Sequence, residues 1–173
     1  MPIIESASPT RILSNAGAPT AGTSEVQTIT IGGTPTGGTF RLRYEGATTA
    51  AISWSATNGT LVANIDGALE ALATVGTGNV TTAVGTMTAG IGTITVTFAG
   101  ALANRAVSTI SVTDNSMTGT SPTIAVAETT PGVDTTALNA AKGQLLSDTT
   151  NGILYINTGT QVSPTWTKVG TQT

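Results

Sequence analysis

The carboxylates are the only group in this sequence numerous enough to suggest acid–base chemistry. Glu5, Glu25, Glu45, Glu70 and Glu128, with Asp66, Asp114, Asp134 and Asp148, are spread along 173 residues. The chain has no histidine and no cysteine. The commonest general base and the thiol nucleophile are therefore absent, and a Ser-His-Asp arrangement is impossible. Zinc sites built on imidazole or thiolate are excluded for the same reason. A glycosidase would need two carboxylates brought together by folding. None of the nine sits in an apolar strand setting that would raise its pKa, so no catalytic residue, metal ligand or cofactor site is assigned and the protein is not expected to be an enzyme. Asp66 and Glu70, four residues apart, read as a solvated pair on a helix. Asp114-Asn115, followed by Ser116, Thr118 and Thr120, could offer oxygens to calcium, but an Asx-type turn accounts for the same residues. The glycine clusters GGTPTGG, GTG and GIGT lack the strand–GxxxxGK–helix setting of a phosphate loop and read as turns.

What remains is surface. Charged residues are 9% of the chain and aromatics 3%, with a net charge of −3. Threonine and glycine are in excess, so the polar coat is hydroxyl rather than ionic, and it can pack against other subunits with little desolvation cost. Six scattered basic residues and a pI of 4.6 argue against a nucleic-acid partner. No apolar run approaches membrane-spanning length, and the first residues carry neither the basic start nor the apolar stretch of a signal peptide.

The elements follow from periodicity. Residues 57–74 hold the one convincing helix, near 59–73. Leu61, Val62, Ile65, Ala68, Leu69 and Leu72 share a face about 120° wide. Thr57 or Asn58 can cap it, and Gly76 and Gly78 stop it. The flanking segments alternate with period two. They read as strands at Glu25–Ile31, Phe40–Glu45, Ala50–Trp54, Asn79–Val84, Thr93–Phe98, Val107–Thr113 and Pro122–Ala127, with GGTPTGG as the turn between the first two. One buried face per strand favours antiparallel sheets. Residues 26–46 align with 80–100 in apolar phase, which suggests two similar hairpins facing each other across one core.

The expected fold is therefore mainly β: an antiparallel β-sandwich-like domain with one packed α-helix, an extended N-terminal arm and a small C-terminal β-hairpin unit. The arm is 1–24, the main domain 25–131 and the small unit 132–173. In the small unit, Ala137–Lys142 reads as a turn of helix and Gln144–Asp148, Gly152–Asn157 and Thr165–Val169 as strands, with Asn151-Gly152 marking a hairpin. Candidate subunit contacts are Ile3, Ile4, Ile12 and Leu13 on the arm, Arg41 and Arg43 on the exposed face of a strand, and Leu145, Ile153, Tyr155 and Trp166 along an intersubunit seam of the small unit. Trp54, in phase with Ile52, reads as core. Trp166 has a sugar-stacking reading as well.

The run EVQTITIGGTPTGGTFRLRYEGATTAAISWSATNGTLVANIDGALEAL, then GNV and ITVTFAGALAN, resembles a repeated β-rich module of tailed-bacteriophage virion proteins. GQLLSDTTNGILYINTGTQVSPTWTKVG resembles a second phage segment, found near the ends of head-decoration and fibre proteins. Together they cover roughly residues 25–169. The second segment typically starts Gly-Asp; here Gly143-Gln144 stands, and an acidic contact at that point is not carried over. The resemblance implies a virion structural protein without catalysis, of the capsid-decoration or head-fibre type. Its partner would be the major capsid protein, its state a homotrimer and its place the capsid surface, with no nucleic acid and no membrane bound. A tail or tail-fibre component, or a carbohydrate-binding module using Trp166, Tyr155 and Trp54, is the alternative.

Overall fold

The structure is a computed structural model; it describes residues 13–15, 22–134, 140–161 and 164–171. It is mainly β, with one helix and antiparallel sheets, in two compact units: 23–133, and 134–173 together with 1–22.

The main unit is built on one long ribbon. Strand β2 (Val26–Tyr44) pairs antiparallel along its length with β7 (Ser111–Thr130). The first half of β2 also pairs with β6 (Ile91–Phe98), which pairs in turn with β5 (Val80–Thr88). The second half pairs instead with β3 (Ala47–Thr48) and β4 (Ile52–Ser53). GGTPTGG is thus not a turn. The chain passes straight through it, with register shifts between Gly32 and Thr34 and between Pro35 and Gly37. Gly33 and Gly38 have φ of 75° and 86°, and a Cβ on either would strike a β7 carbonyl, of Ser121 or of Ser116. Glycine here makes bulges rather than a reversal, and bulges bend a ribbon. Asn115 Nδ2 donates to the Pro122 carbonyl at 3.0 Å. Seven residues of straight strand would span about 23 Å, so β7 turns a corner there. The two halves of the ribbon consequently share one core, which gives the sandwich-like form.

Real reversals use a different device. Glu45-Gly46 and Ala89-Gly90 all have positive φ, and each pair links adjacent antiparallel strands as a two-residue turn. The segment 80–100 is therefore a hairpin, whereas 26–46 is essentially one strand. The suggested duplication is not a structural one. Likewise Val107–Thr113 and Pro122–Ala127 are not two strands: β7 runs through both from Ser111 onward, and Asp114-Asn115 lies within it rather than in a loop.

Helix α1 (Asn58–Glu70) buries Leu61, Ile65 and Leu69. These pack with Ile29, Ile31, Phe40, Leu42, Ile52, Ile94, Val96 and Phe98. Burying each such side chain is worth about 1.5–3 kcal/mol, and this burial is what holds a glycine-containing helix in place. Thr57 occupies the N-cap position but makes no side-chain cap bond. Asn58 does not cap either. Its side chain donates to the Met87 carbonyl (3.2 Å) and accepts from Gly90 N–H (2.9 Å), tying the helix start to the β5–β6 turn. Trp54, half-buried against the core, donates to the carbonyl of the same Gly90 at 3.1 Å.

The second unit is a four-stranded sheet: β1 (Leu13–Asn15), β8 (Leu145–Asp148), β9 (Ile153–Asn157) and β10 (Trp166–Lys168), in that order. β8, β9 and β10 pair antiparallel, while β1 pairs parallel with β8. Of the expected helical turn at Ala137–Lys142, residues 137–139 lie outside the described residues, and Ala140–Lys142 are not helical.

Candidate functional site

The sheet half formed by β5, β6, β2 and β7 has an outward face that follows from its register. Ile29, Ile31, Ile94, Val96, Phe98 and Val80 point to the core. Their neighbours in sequence point away: Val26, Thr28 and Thr30 on β2, Thr93, Thr95 and Thr97 on β6, Thr81 and Ala83 on β5, Ala125 and Ala127 on β7. No charged residue interrupts this face. Several of its hydroxyls are engaged within it: Thr28 Oγ1 with Thr129 Oγ1, Thr95 Oγ1 donating to the Ala83 carbonyl, and Thr93 Oγ1 accepting from Thr86 N–H. A face of methyls and hydroxyls that are in part already bonded can meet another surface with reduced polar desolvation.

Arg41 and Arg43 are exposed on the other half of β2. Arg41 is set across from Asp114 in the β2–β7 register, but its Nη1 donates to the Thr49 carbonyl at 3.0 Å. Asp114 accepts from the Ser116 hydroxyl with both oxygens, at 3.0 and 3.1 Å. Among the described residues no group of three or more acidic side chains could hold a metal ion.

The acidic pair on α1 is not solvated as expected. Asp66 Oδ1 accepts from Thr82 N–H (3.0 Å) and Thr82 Oγ1 (2.9 Å), and Glu70 Oε1 accepts from Gly78 N–H (2.6 Å). Both carboxylates lie along β5 and the turn that leads into it, lining a groove of about 420 Å³ with Val62 and Val80. A second groove, of about 370 Å³, lies between Tyr44, Glu45, Thr74 and Arg105. Burial raises the Tyr44 pKa, and the nearby Glu45 and Glu25 carboxylates add to that while Arg105 opposes it.

The residues assigned to an intersubunit seam do not form one surface. In the register of the small sheet, Leu146 lies beside Tyr155 and Tyr155 beside Lys168. By period two, Ile153, Tyr155 and Trp166 then share one side and Leu145 takes the other, next to Ile156. Tyr155 is buried and belongs to the unit's own interior with Leu146 and Ala140. Ile153 and Trp166 are half-buried, and the Trp166 indole Nε1 is enclosed without an acceptor. Leu13 stands in β1; Ile3, Ile4 and Ile12 lie outside the described residues.

Two buried polar centres escaped the sequence reading. In the main unit Gln27 donates to Glu25 Oε1 (2.6 Å) and the Ser108 carbonyl (3.0 Å), and accepts from Ile110 N–H (2.8 Å). Glu25 Oε2 accepts from Val107 N–H (2.9 Å). Residues 107–110 are therefore a latched coil, not the start of a strand. The signal was present: Glu25 and Gln27 are in phase with Ile29 and Ile31, and hence inward. In the small unit Asn157 donates to the Ala140 (2.6 Å), Ala141 and Thr160 carbonyls (both 3.4 Å), and accepts from the Gly159 and Thr165 N–H groups (both 2.9 Å). Asp148 accepts from the Thr150 and Asn151 N–H groups (both 3.0 Å) and shapes the β8–β9 turn.

No protein-family model matches the chain, and no curated protein does. A solved structure from Mycobacterium phage Patience is similar at 17% identity and a TM-score of 0.42, over 83% of this chain and 49% of that one. The chain thus spans about half the length of that neighbour.

Proposed function

We propose that the protein is a structural component of a tailed-phage virion that decorates or cements the capsid. It acts as a homotrimer on the capsid surface, its partner is the major capsid protein, and it works by buried area, without catalysis or cofactor. The observation that carries this reading is the charge-free threonine and alanine face running across β5, β6, β2 and β7, several of whose hydroxyls bond within the face. The phage-like runs at residues 25–72 and 143–170 support it, as does the commitment of Asp66, Glu70 and Asp114 to hydrogen bonds within the fold. The test is to mix purified protein with expanded capsids that lack it. Saturable co-sedimentation is expected, and Thr95→Lys, which plants a charge mid-face, should abolish it. Failure of the unaltered protein to bind such capsids would refute the reading.

A tail or fibre location is the alternative within the same class, decided by imaging labelled particles. A second reading is a carbohydrate contact on the half-buried Trp166 ring, made by stacking on the ring and not through its enclosed indole N–H. A glycan array silent to the full chain would exclude it.

A further inference from the structure

The main sheet ends in two edges, and only one of them is guarded. β5 turns its free side toward α1, where Asp66 takes up the Thr82 N–H. β7 pairs with β2 and with no other strand among the described residues. An open strand edge is a row of donors and acceptors on which another strand can build. Over Thr123–Ala127 the usual protections are missing: the run holds no charge, and the lone proline, Pro122, stands just before it. Ile124 and Val126 pack against the core yet stay half-exposed, with no further strand among the described residues along their flank.

We propose that this edge pairs with the same segment of a second copy, antiparallel about a twofold axis through Ala125. The sequence itself favours that register. Ala125 meets its own counterpart, Ile124 meets Val126 and Thr123 meets Ala127, so the core-facing side chains of one copy continue those of the other. Glu128 falls opposite Pro122, which has no N–H to offer and ends the ladder. A twofold centred on Ser121 would instead set Asp114 against Glu128, like charge on like. The contact is isologous and buries the flank of Ile124 and Val126 in both copies. It rests on no part of the capsid reading; in a trimer it would link one trimer to the next.

The chain has no cysteine, so Ala125→Cys introduces a single thiol. Directly opposed Cβ atoms in an antiparallel pair lie about 4.5–5.5 Å apart, close to disulfide range. The full-length Ala125→Cys protein under mild oxidation should form a covalent dimer at least about tenfold faster than Ala83→Cys on the guarded β5 edge. Ala125→Lys opposes two like charges on the axis, and should weaken self-association in sedimentation by about tenfold or more. Ala125 is exposed, so the thermal melt of Ala125→Lys should match the parent at dilutions where both are monomeric. Equal cross-linking at positions 83 and 125 overturns the proposal. So does self-association unaffected by Ala125→Lys, or a parent chain that sediments as a monomer and whose Ala125→Cys variant forms no disulfide.

Discussion

The two units solve the same problem with opposite materials. The main unit encloses a continuous apolar interior, to which the Glu25–Gln27 latch is an addition. The small unit has Leu146, Tyr155 and Ala140 inside and, among them, Asn157 and Asp148. A sheet this small cannot bury enough apolar area to fix its own loops. It uses one amide to gather three carbonyls and two N–H groups from the segments around it. Loss of a polar centre should therefore be local and severe in the small unit, and diluted by the core in the main one.

Asn157→Leu is the strongest test of that contrast. It strips partners from several backbone groups at once while keeping the branched outline of the side chain, at a cost of about 3 kcal/mol or more. Amide exchange across residues 143–169 should rise to near the unfolded rate, with protection at 26–44 unchanged. Equal loss in both units would mean that the two do not divide the labour in this way.

Gln27→Leu is the matching change in the main unit. It leaves Glu25 Oε1, the Ser108 carbonyl and the Ile110 N–H without their partner. About 2 kcal/mol is expected, read as a lower urea midpoint with an unchanged slope. The latched coil should open first, so limited trypsin digestion should cut after Arg105 well before the sheet is lost. Collapse of the whole unit without that early cut would show that the latch is integral to the core.

The contrast also explains what the sequence could and could not disclose. Period-two alternation placed β6, β8 and β9 closely, because in each one face is buried and the other is not. α1 was legible from its apolar stripe. The ribbon corner was not, since Gly-Gly-Thr-Pro-Thr-Gly-Gly has the same composition whether it reverses a chain or bends it. Only pairing with β7, some eighty residues away, decides which. Asp66 and Glu70 misled because helical spacing shows which side they leave by and not that β5 lies there. Leu145 was a different case. Counting back from Asn151-Gly152 puts it on the other face of the sheet from Tyr155, for a loop of two residues or of four, so its face could have been read.

A smaller effect tests the guarded edge. Asp66→Ala frees Thr82 N–H on β5 and leaves its hydroxyl only the Val62 carbonyl, at 3.3 Å. About 1 kcal/mol of stability should go with it. The informative readout is cross-linking: Ala83→Cys in the Asp66→Ala background should now form disulfides, where Ala83→Cys alone forms few. If the edge stays inert, α1 shields it by bulk rather than through this carboxylate.

The smallest effect is electrostatic and confined to the main unit. Tyr44 is buried and packed on Phe98, ring centroids 5.4 Å apart, and its phenol pKa lies above the ordinary 10.0. Burial is the main cause, since it disfavours the phenolate, and Glu45 and Glu25 act in the same sense. A raised folded pKa means that the native state holds its proton where the unfolded chain has already lost it. The contribution is thus fully present below about pH 10 and is lost as pH rises through the folded value. Urea midpoints measured at pH 9 and pH 11 should fall more for the parent than for Tyr44→Phe, which keeps the ring and has nothing to ionise. The small unit supplies the internal control. Its Tyr155 ring is also interior, so exchange protection at Leu146 and Ile156 can be followed in the same samples, and Tyr44→Phe should leave its pH dependence untouched.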